Sequence, residues 1–170
     1  FFPSQGQVCH SYCTFCFRWA QFIGDNDLKI ATKEAGQLKK YIQAHPEISD
    51  VLITGGDPLV MKTKNLRAHI EPLLELEQIR TIRIGSKALT FWPQRVVSDA
   101  DAQDLLDLFE EVIASGKHLA LMAHYNHWQE LETDIAREAV KRVRATGAVI
   151  RAQGPLLSLI HISEPTRPSS

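Results

Sequence analysis

Three cysteines fall within eight consecutive positions, Cys9-His10-Ser11-Tyr12-Cys13-Thr14-Phe15-Cys16, and the 170-residue sequence holds no fourth. The C-x3-C-x2-C spacing packs three thiolates into one short loop. Three thiolates match three of the four irons of a [4Fe-4S] cubane and leave one iron open to a ligand. The same open position separates a catalytic metal site from a closed structural one. Two blander chemistries compete. A disulfide between Cys13 and Cys16 would strand Cys9, and an odd, tightly clustered set does not staple a fold. A structural zinc would need a fourth ligand, and His10 is badly placed for it because it directly follows Cys9. The expected role of Cys9, Cys13 and Cys16 is to hold an iron-sulfur cluster, with a non-enzymatic zinc module as the alternative.

Such a loop needs a rigid frame, and from Lys33 onward amphipathic segments alternate with short apolar runs. That order predicts an α/β fold with a parallel sheet. The spacing predicts a helix over Lys33 to Ala44, a strand over Asp50 to Thr54, a helix over Lys64 to Leu76 kinked at Pro72, and a strand over Thr81 to Ile84. Leu105, Leu108, Phe109, Val112 and Ile113 then repeat at helical spacing, with Ser98 and Asp101 resembling a capping box and Gly116 ending the helix. A strand over His118 to Ala123, a helix over Thr133 to Thr146 and a strand over Ala148 to Ala152 follow, with a further strand allowed near Gln7.

Every apolar run empties into polar or glycine positions: Thr54-Gly55-Gly56-Asp57-Pro58, Gly85-Ser86-Lys87, His124-Tyr125-Asn126-His127 and Gln153-Gly154. Any one such loop is ordinary. Four in succession point to a site at the carboxyl edge of the sheet, where parallel α/β folds gather ligands. A full eight-stranded barrel needs about 250 residues. The expected architecture is therefore an incomplete TIM-like (β/α) barrel over residues 1–156. Residues 157–170 break the pattern, look like the translation of a sequencing adapter, and are expected to be a non-native tail without functional weight.

Composition bounds the partners. The sequence is 44% hydrophobic and 23% charged, with a formal net charge of -1, so it offers no basic field for nucleic acid. No stretch reaches the roughly 18 apolar residues of a membrane span and no signal peptide opens the chain, which leads to an expectation of a cytoplasmic protein.

The cysteine spacing, with an aromatic just before the last cysteine, resembles the radical S-adenosylmethionine superfamily. Over residues 7–156 the resemblance narrows to the lysine 2,3-aminomutases. It rests on Cys9 to Arg18, Val51 to Asp57, Ile82 to Lys87 with Pro93-Gln94-Arg95, His124 to His127, and Gln153, in that order. The resemblance implies a [4Fe-4S] cluster, S-adenosylmethionine as source of a 5'-deoxyadenosyl radical, pyridoxal 5'-phosphate, and a 1,2-amino migration on lysine. Phe15 then lies against the adenine, Gly55-Gly56-Asp57 forms the edge beside the methionyl group, and Ser86, His124 and Gln153 line the same cofactor. Asp57 stands where glutamate is commoner. Arg18 corresponds to the arginine that clamps the substrate carboxylate; its competing reading is a surface cation. His124 and His127 compete as satisfied structural histidines. The pyridoxal-binding lysine has no counterpart here, with Lys87 and Lys117 candidates only by exhaustion, so the chain is expected not to turn over alone. The implied partners are a small amino acid and an electron donor such as a flavodoxin or ferredoxin, with homo-oligomerisation left open. A variant serving elongation factor P and a radical enzyme without pyridoxal phosphate are the other enzymatic readings.

Overall fold

A computed structural model describes residues 1–16, 18–19 and 35–154. The proposed tail, 157–170, lies outside the described residues, as do the first two residues of the expected first helix.

Four strands form one parallel sheet in the order β1 (Asp50–Ile53), β2 (Thr81–Ser86), β3 (His118–His124) and β4 (Val149–Gln153). The spatial order repeats the chain order, with Val51 opposite Ile82, Ile82 opposite Leu119, and Leu121 opposite Ile150. Right-handed crossovers taken always in one direction put the connecting helices on one face. This is the arrangement of a barrel wall, and it differs from a doubly wound sheet, whose strand order reverses.

The helices are α1 (Ala35–Ala44), α2 (Thr63–Leu74), α3 (Ala88–Phe91), α4 (Gln94–Val97), α5 (Ala102–Ala114) and α6 (Asp134–Ala145). Leu66, Ile70 and Leu73 of α2 and Leu105, Leu108, Phe109 and Val112 of α5 recur every three or four residues, so each helix buries one stripe. These stripes share a core with Val51, Ile53, Ile82, Ile84, Leu119 and Leu121 of the strands. Thr133 caps α6 by accepting from the Ala136 N–H, and Gly116 and Gly147 adopt positive φ (81° and 88°) just past α5 and α6. α2 runs two residues beyond Pro72.

Two expectations need correction and one stretch needs adding. The extra strand is not near Gln7. Ser4–Gly6 is a 3-10 turn, and the pairing lies at Phe1, which donates to the Leu52 carbonyl and accepts from the Thr54 N–H, running parallel to β1. Ser98 and Asp101 form no capping box, because Ser98 closes the short helix α4 and Asp101 gives its carboxylate to the Thr63 N–H at the start of α2. The stretch after β2, to which the sequence pattern assigned no element, is filled by two short helices, α3 and α4, divided at Trp92-Pro93.

Candidate active site

The cysteine loop is stitched to the exit of β1. Gly56 N–H donates to the Gly6 carbonyl and Asp57 N–H to the Val8 carbonyl, both at 2.9 Å. The approach is so close that a Cβ at Gly56 would sit 2.3 Å from the Val8 oxygen, and one at Gly55 would sit 2.7 Å from the Gly6 oxygen. Glycine is therefore required at both positions by contact with main chain, which cannot swing aside. Past Val8 the loop carries the half-buried thiols and turns through Tyr12, whose φ of 44° is left-handed. Cys16 N–H then closes on the Cys13 carbonyl at 3.0 Å.

The thiols lie within one another's field. Burial pushes the Cys13 thiol up, the Lys87 ammonium pulls it back, charge on Cys9 or Cys16 raises it again, and the Asn126 side chain lowers it. Among the described residues no three cysteine, histidine or carboxylate groups converge tightly enough to hold a single metal ion. A cubane demands less convergence, because each thiolate binds a different iron. Three half-exposed soft donors on a loop held from one side fit that group better than they fit a lone tetrahedral zinc.

Phe15 of this loop stacks on His124 at the end of β3, with centroids 5.7 Å apart. His124 is fixed in turn by Asn126 Oδ1 at 2.9 Å, and burial, helped by Lys87, holds its pKa below the usual histidine value. The two rings form one apolar wall beside the thiols. Gln153 ends β4 opposite His124 and accepts the Tyr125 N–H through its carbonyl.

Asp57 and Ser86 sit at the same edge with their polar atoms turned to the protein. The Asp57 carboxylate, 1% exposed, accepts from the Leu59 N–H, the Lys87 N–H and Ser86 Oγ at 2.8 to 2.9 Å. Burial pushes its pKa up, and those three donors oppose the shift. Ser86 Oγ also accepts from the Ala88 N–H. The pair locks the exits of β1 and β2 together.

Arg18 is 8% exposed, which removes the surface-cation reading. Its guanidinium donates to Gln7 Oε1 at 2.8 Å and lies over the Phe2 ring at 4.6 Å. Desolvation lowers its pKa, while Cys16 opposes that. His127 is structural in this arrangement, since Nδ1 accepts the Gln129 N–H at the start of a 3-10 turn, Trp128–Leu131.

Sequence reasoning missed a buried ion pair. Lys87, 5% exposed, sets its Nζ 2.8 Å from Glu130 Oε2 and 4.6 Å from the Phe91 ring centroid. Glu130 also accepts from Thr90 Oγ1 and the Asn126 N–H. The signal available was a lysine directly after the apolar run of β2, at a position otherwise flanked by buried residues. Lys117 is excluded from the site. Its Nζ donates to the Leu76 and Ile79 carbonyls just before β3, at the amino edge of the sheet. A separate cavity of about 450 Å³ lies between α1 and β1, lined by Phe1, Tyr41, Ile42, Val51 and Leu52 among others. None of the sequence-predicted site residues lines it.

A four-stranded parallel sheet in chain order, with a three-cysteine loop held against its carboxyl edge, defines an α/β protein consistent with a partial TIM-like barrel. Over nine-tenths of its length the chain is homologous to the lysine 2,3-aminomutases. It is 43% identical over 154 residues, 91% of this chain, to an Aquifex aeolicus protein provisionally named L-lysine 2,3-aminomutase. It is 30% identical over 88% of the chain to the L-lysine 2,3-aminomutase of Acetoanaerobium sticklandii, and 29% identical over 90% to the glutamate 2,3-aminomutase of Clostridioides difficile. The match spans 40%, 34% and 34% of those three relatives. No family model matches the chain. Among the described residues no helix is long and apolar enough to cross a membrane.

Proposed function

We propose that this chain forms the cluster-bearing part of a radical S-adenosylmethionine aminomutase that acts on a small amino acid, lysine before glutamate. The observation that carries the reading is the double clasp of Gly56 on Gly6 and Asp57 on Val8. It brings a three-thiolate loop into main-chain contact with the glycine exit of β1. Cys9, Cys13 and Cys16 would hold a [4Fe-4S] cluster. When bound, cluster and S-adenosylmethionine together supply the radical that removes a substrate hydrogen.

The protein's own part is binding and exclusion of water. Gly55 and Gly56 let the cysteine loop close on the exit of β1 without side-chain bulk, and Phe15 and His124 give a flat apolar wall for the adenine. Gln153 adds an amide at the neighbouring strand end. Asp57 and Ser86 act on this edge by bracing it, since their polar atoms are already bonded within the protein. Arg18, docked on Phe2 and Gln7 beside Cys16, is the cation assigned to the substrate carboxylate.

Pyridoxal phosphate does not fit the described residues. A Schiff-base lysine must stand at the carboxyl edge with its amine available, whereas Lys87 is paired with Glu130 and Lys117 lies at the opposite edge. On this reading the chain assembles a cluster and does not isomerise lysine alone. The complete enzyme takes its electron from a flavodoxin or ferredoxin.

Anaerobic iron and sulfide reconstitution tests the proposal. Broad absorbance of a cubane and a reduced-state electron paramagnetic resonance signal that changes on adding S-adenosylmethionine are expected. One zinc per chain with no response to that cofactor overturns it.

A further inference from the structure

Pro93-Gln94-Arg95 is the one sequence motif that cluster chemistry leaves without a role. Arg95, on α4, is 1% exposed. Its Nε donates to the Leu59 carbonyl at 2.8 Å, and its Nη2 donates to the Met61 carbonyl and Thr63 Oγ1 at 3.1 and 3.0 Å. Nη1 and Nη2 also meet the Asp101 carboxylate at 3.0 and 3.3 Å. Desolvation pulls the Arg95 pKa down, and Asp101 and Asp99 counter it. Only the planar fork of guanidinium reaches so many acceptors at once, which a lysine cannot do.

The carbonyls that Arg95 holds belong to the segment leaving the glycine edge. Leu59, whose carbonyl takes the Arg95 Nε proton, gives its own N–H to the Asp57 carboxylate. Gly56 and Asp57 in turn hold the carbonyls of Gly6 and Val8 in the cysteine loop. A continuous run of hydrogen bonds thus connects α4 to the residue before Cys9. Asp101 closes the far end, tying Arg95 to the first turn of α2 through the Thr63 N–H.

We propose that Arg95 is a positioning residue, setting the separation between the Gly55-Gly56-Asp57 edge and the cysteine loop that S-adenosylmethionine must span. The inference rests on the radical-enzyme reading above. A buried guanidinium could instead contribute to folding alone, and the chain contains its own comparison. Lys117 is a second buried cation bonded to main-chain carbonyls, those of Leu76 and Ile79 at the amino edge, and among the described residues no run of hydrogen bonds leads from it to the cysteine loop.

The test compares wild type, Arg95→Lys, Asp101→Asn and Lys117→Met after anaerobic reconstitution. It reads iron per chain, the reduced cluster spectrum, the Kd for S-adenosylmethionine from the spectral change, and the urea midpoint. Folded Arg95→Lys and Asp101→Asn are expected to keep the cluster signal and to bind the cofactor at least about tenfold more weakly, since a misplacement of about 1 Å can cost on the order of a hundredfold. Lys117→Met is expected to lower the urea midpoint and leave Kd unchanged. If Arg95→Lys does not fold, Asp101→Asn carries the comparison. Wild-type Kd in the folded Arg95 and Asp101 variants overturns the proposal whatever their stability, and so does an equal weakening in Lys117→Met. A wild-type spectrum indifferent to S-adenosylmethionine sinks the radical-enzyme reading itself, and the proposal falls with it.

Discussion

Replacing Gly56 by alanine probes the clasp directly. The added Cβ would lie 2.3 Å from the Val8 oxygen, 2.5 Å from the Val8 carbonyl carbon and 3.0 Å from the Cys9 nitrogen, all main chain. Restoring ordinary contact moves the Val8-Cys9 backbone away by about 1 Å. That shift stretches the 2.9 Å bonds from Gly56 to Gly6 and from Asp57 to Val8 beyond useful length. Losing two hydrogen bonds costs about 2 kcal/mol, and overpacking adds roughly 1 to 3 kcal/mol where the loop cannot retreat. A retreat lessens the second cost and displaces Cys9 from Cys13 and Cys16. The variant should therefore unfold at lower urea, load less iron, or do both. Gly36→Ala is the control. Among the described residues nothing lies within 4 Å of its added carbon, and it should leave stability unchanged or raise it by about 0.5 kcal/mol. Urea melts of the reduced chain and iron content after anaerobic loading measure the two effects separately. A Gly56→Ala chain with wild-type midpoint and wild-type iron content would refute the reasoning.

Two further outcomes follow from buried charge. Lys87→Met leaves the Glu130 carboxylate with Thr90 and the Asn126 N–H as its hydrogen-bond donors among the described residues. It should cost about 3 kcal/mol, with Lys87→Met/Glu130→Gln recovering part of the loss in the same urea melts. The buried His69 ring packs on Phe1, and its Nδ1 has no partner among the described residues. Desolvation lowers its pKa below 6.5, so the folded state binds fewer protons than the unfolded one. Stability is then full above that value and declines as pH falls below it. Melts at about pH 5 and about pH 7.5 should show a smaller decline in His69→Phe than in wild type, and an unchanged decline would assign the loss to other groups such as His124.

Much of the frame was legible because it is repetitive. The four strands lie within two residues of their expected limits, and the apolar stripe of α5 falls where its spacing put it, since these periods coincide with burial against a single core. The gathering of the candidate residues at one edge was legible for the same reason, as polar residues after an apolar run must leave the sheet at its carboxyl end. Contacts between distant residues were not legible. Asp101 looked like a local cap, and only the fold brings Thr63 and Arg95 near enough to take its carboxylate. Asp57 looked like a cofactor ligand because nothing in Gly-Gly-Asp shows that the Ser86 and Lys87 donors close over it. α3 and α4 are each four residues long, too short for a period to declare itself.

β4 pairs with β3 along one side, and no described strand covers its other side. Arg151 is the one charge in Val149–Gln153, and the strand is held by its parallel pairing with Ala120–His124. Weakening β4 would therefore act at a distance, since its loss frees the Tyr125 N–H from the Gln153 carbonyl and removes the strand that pairs with His124, the ring on which Phe15 stacks.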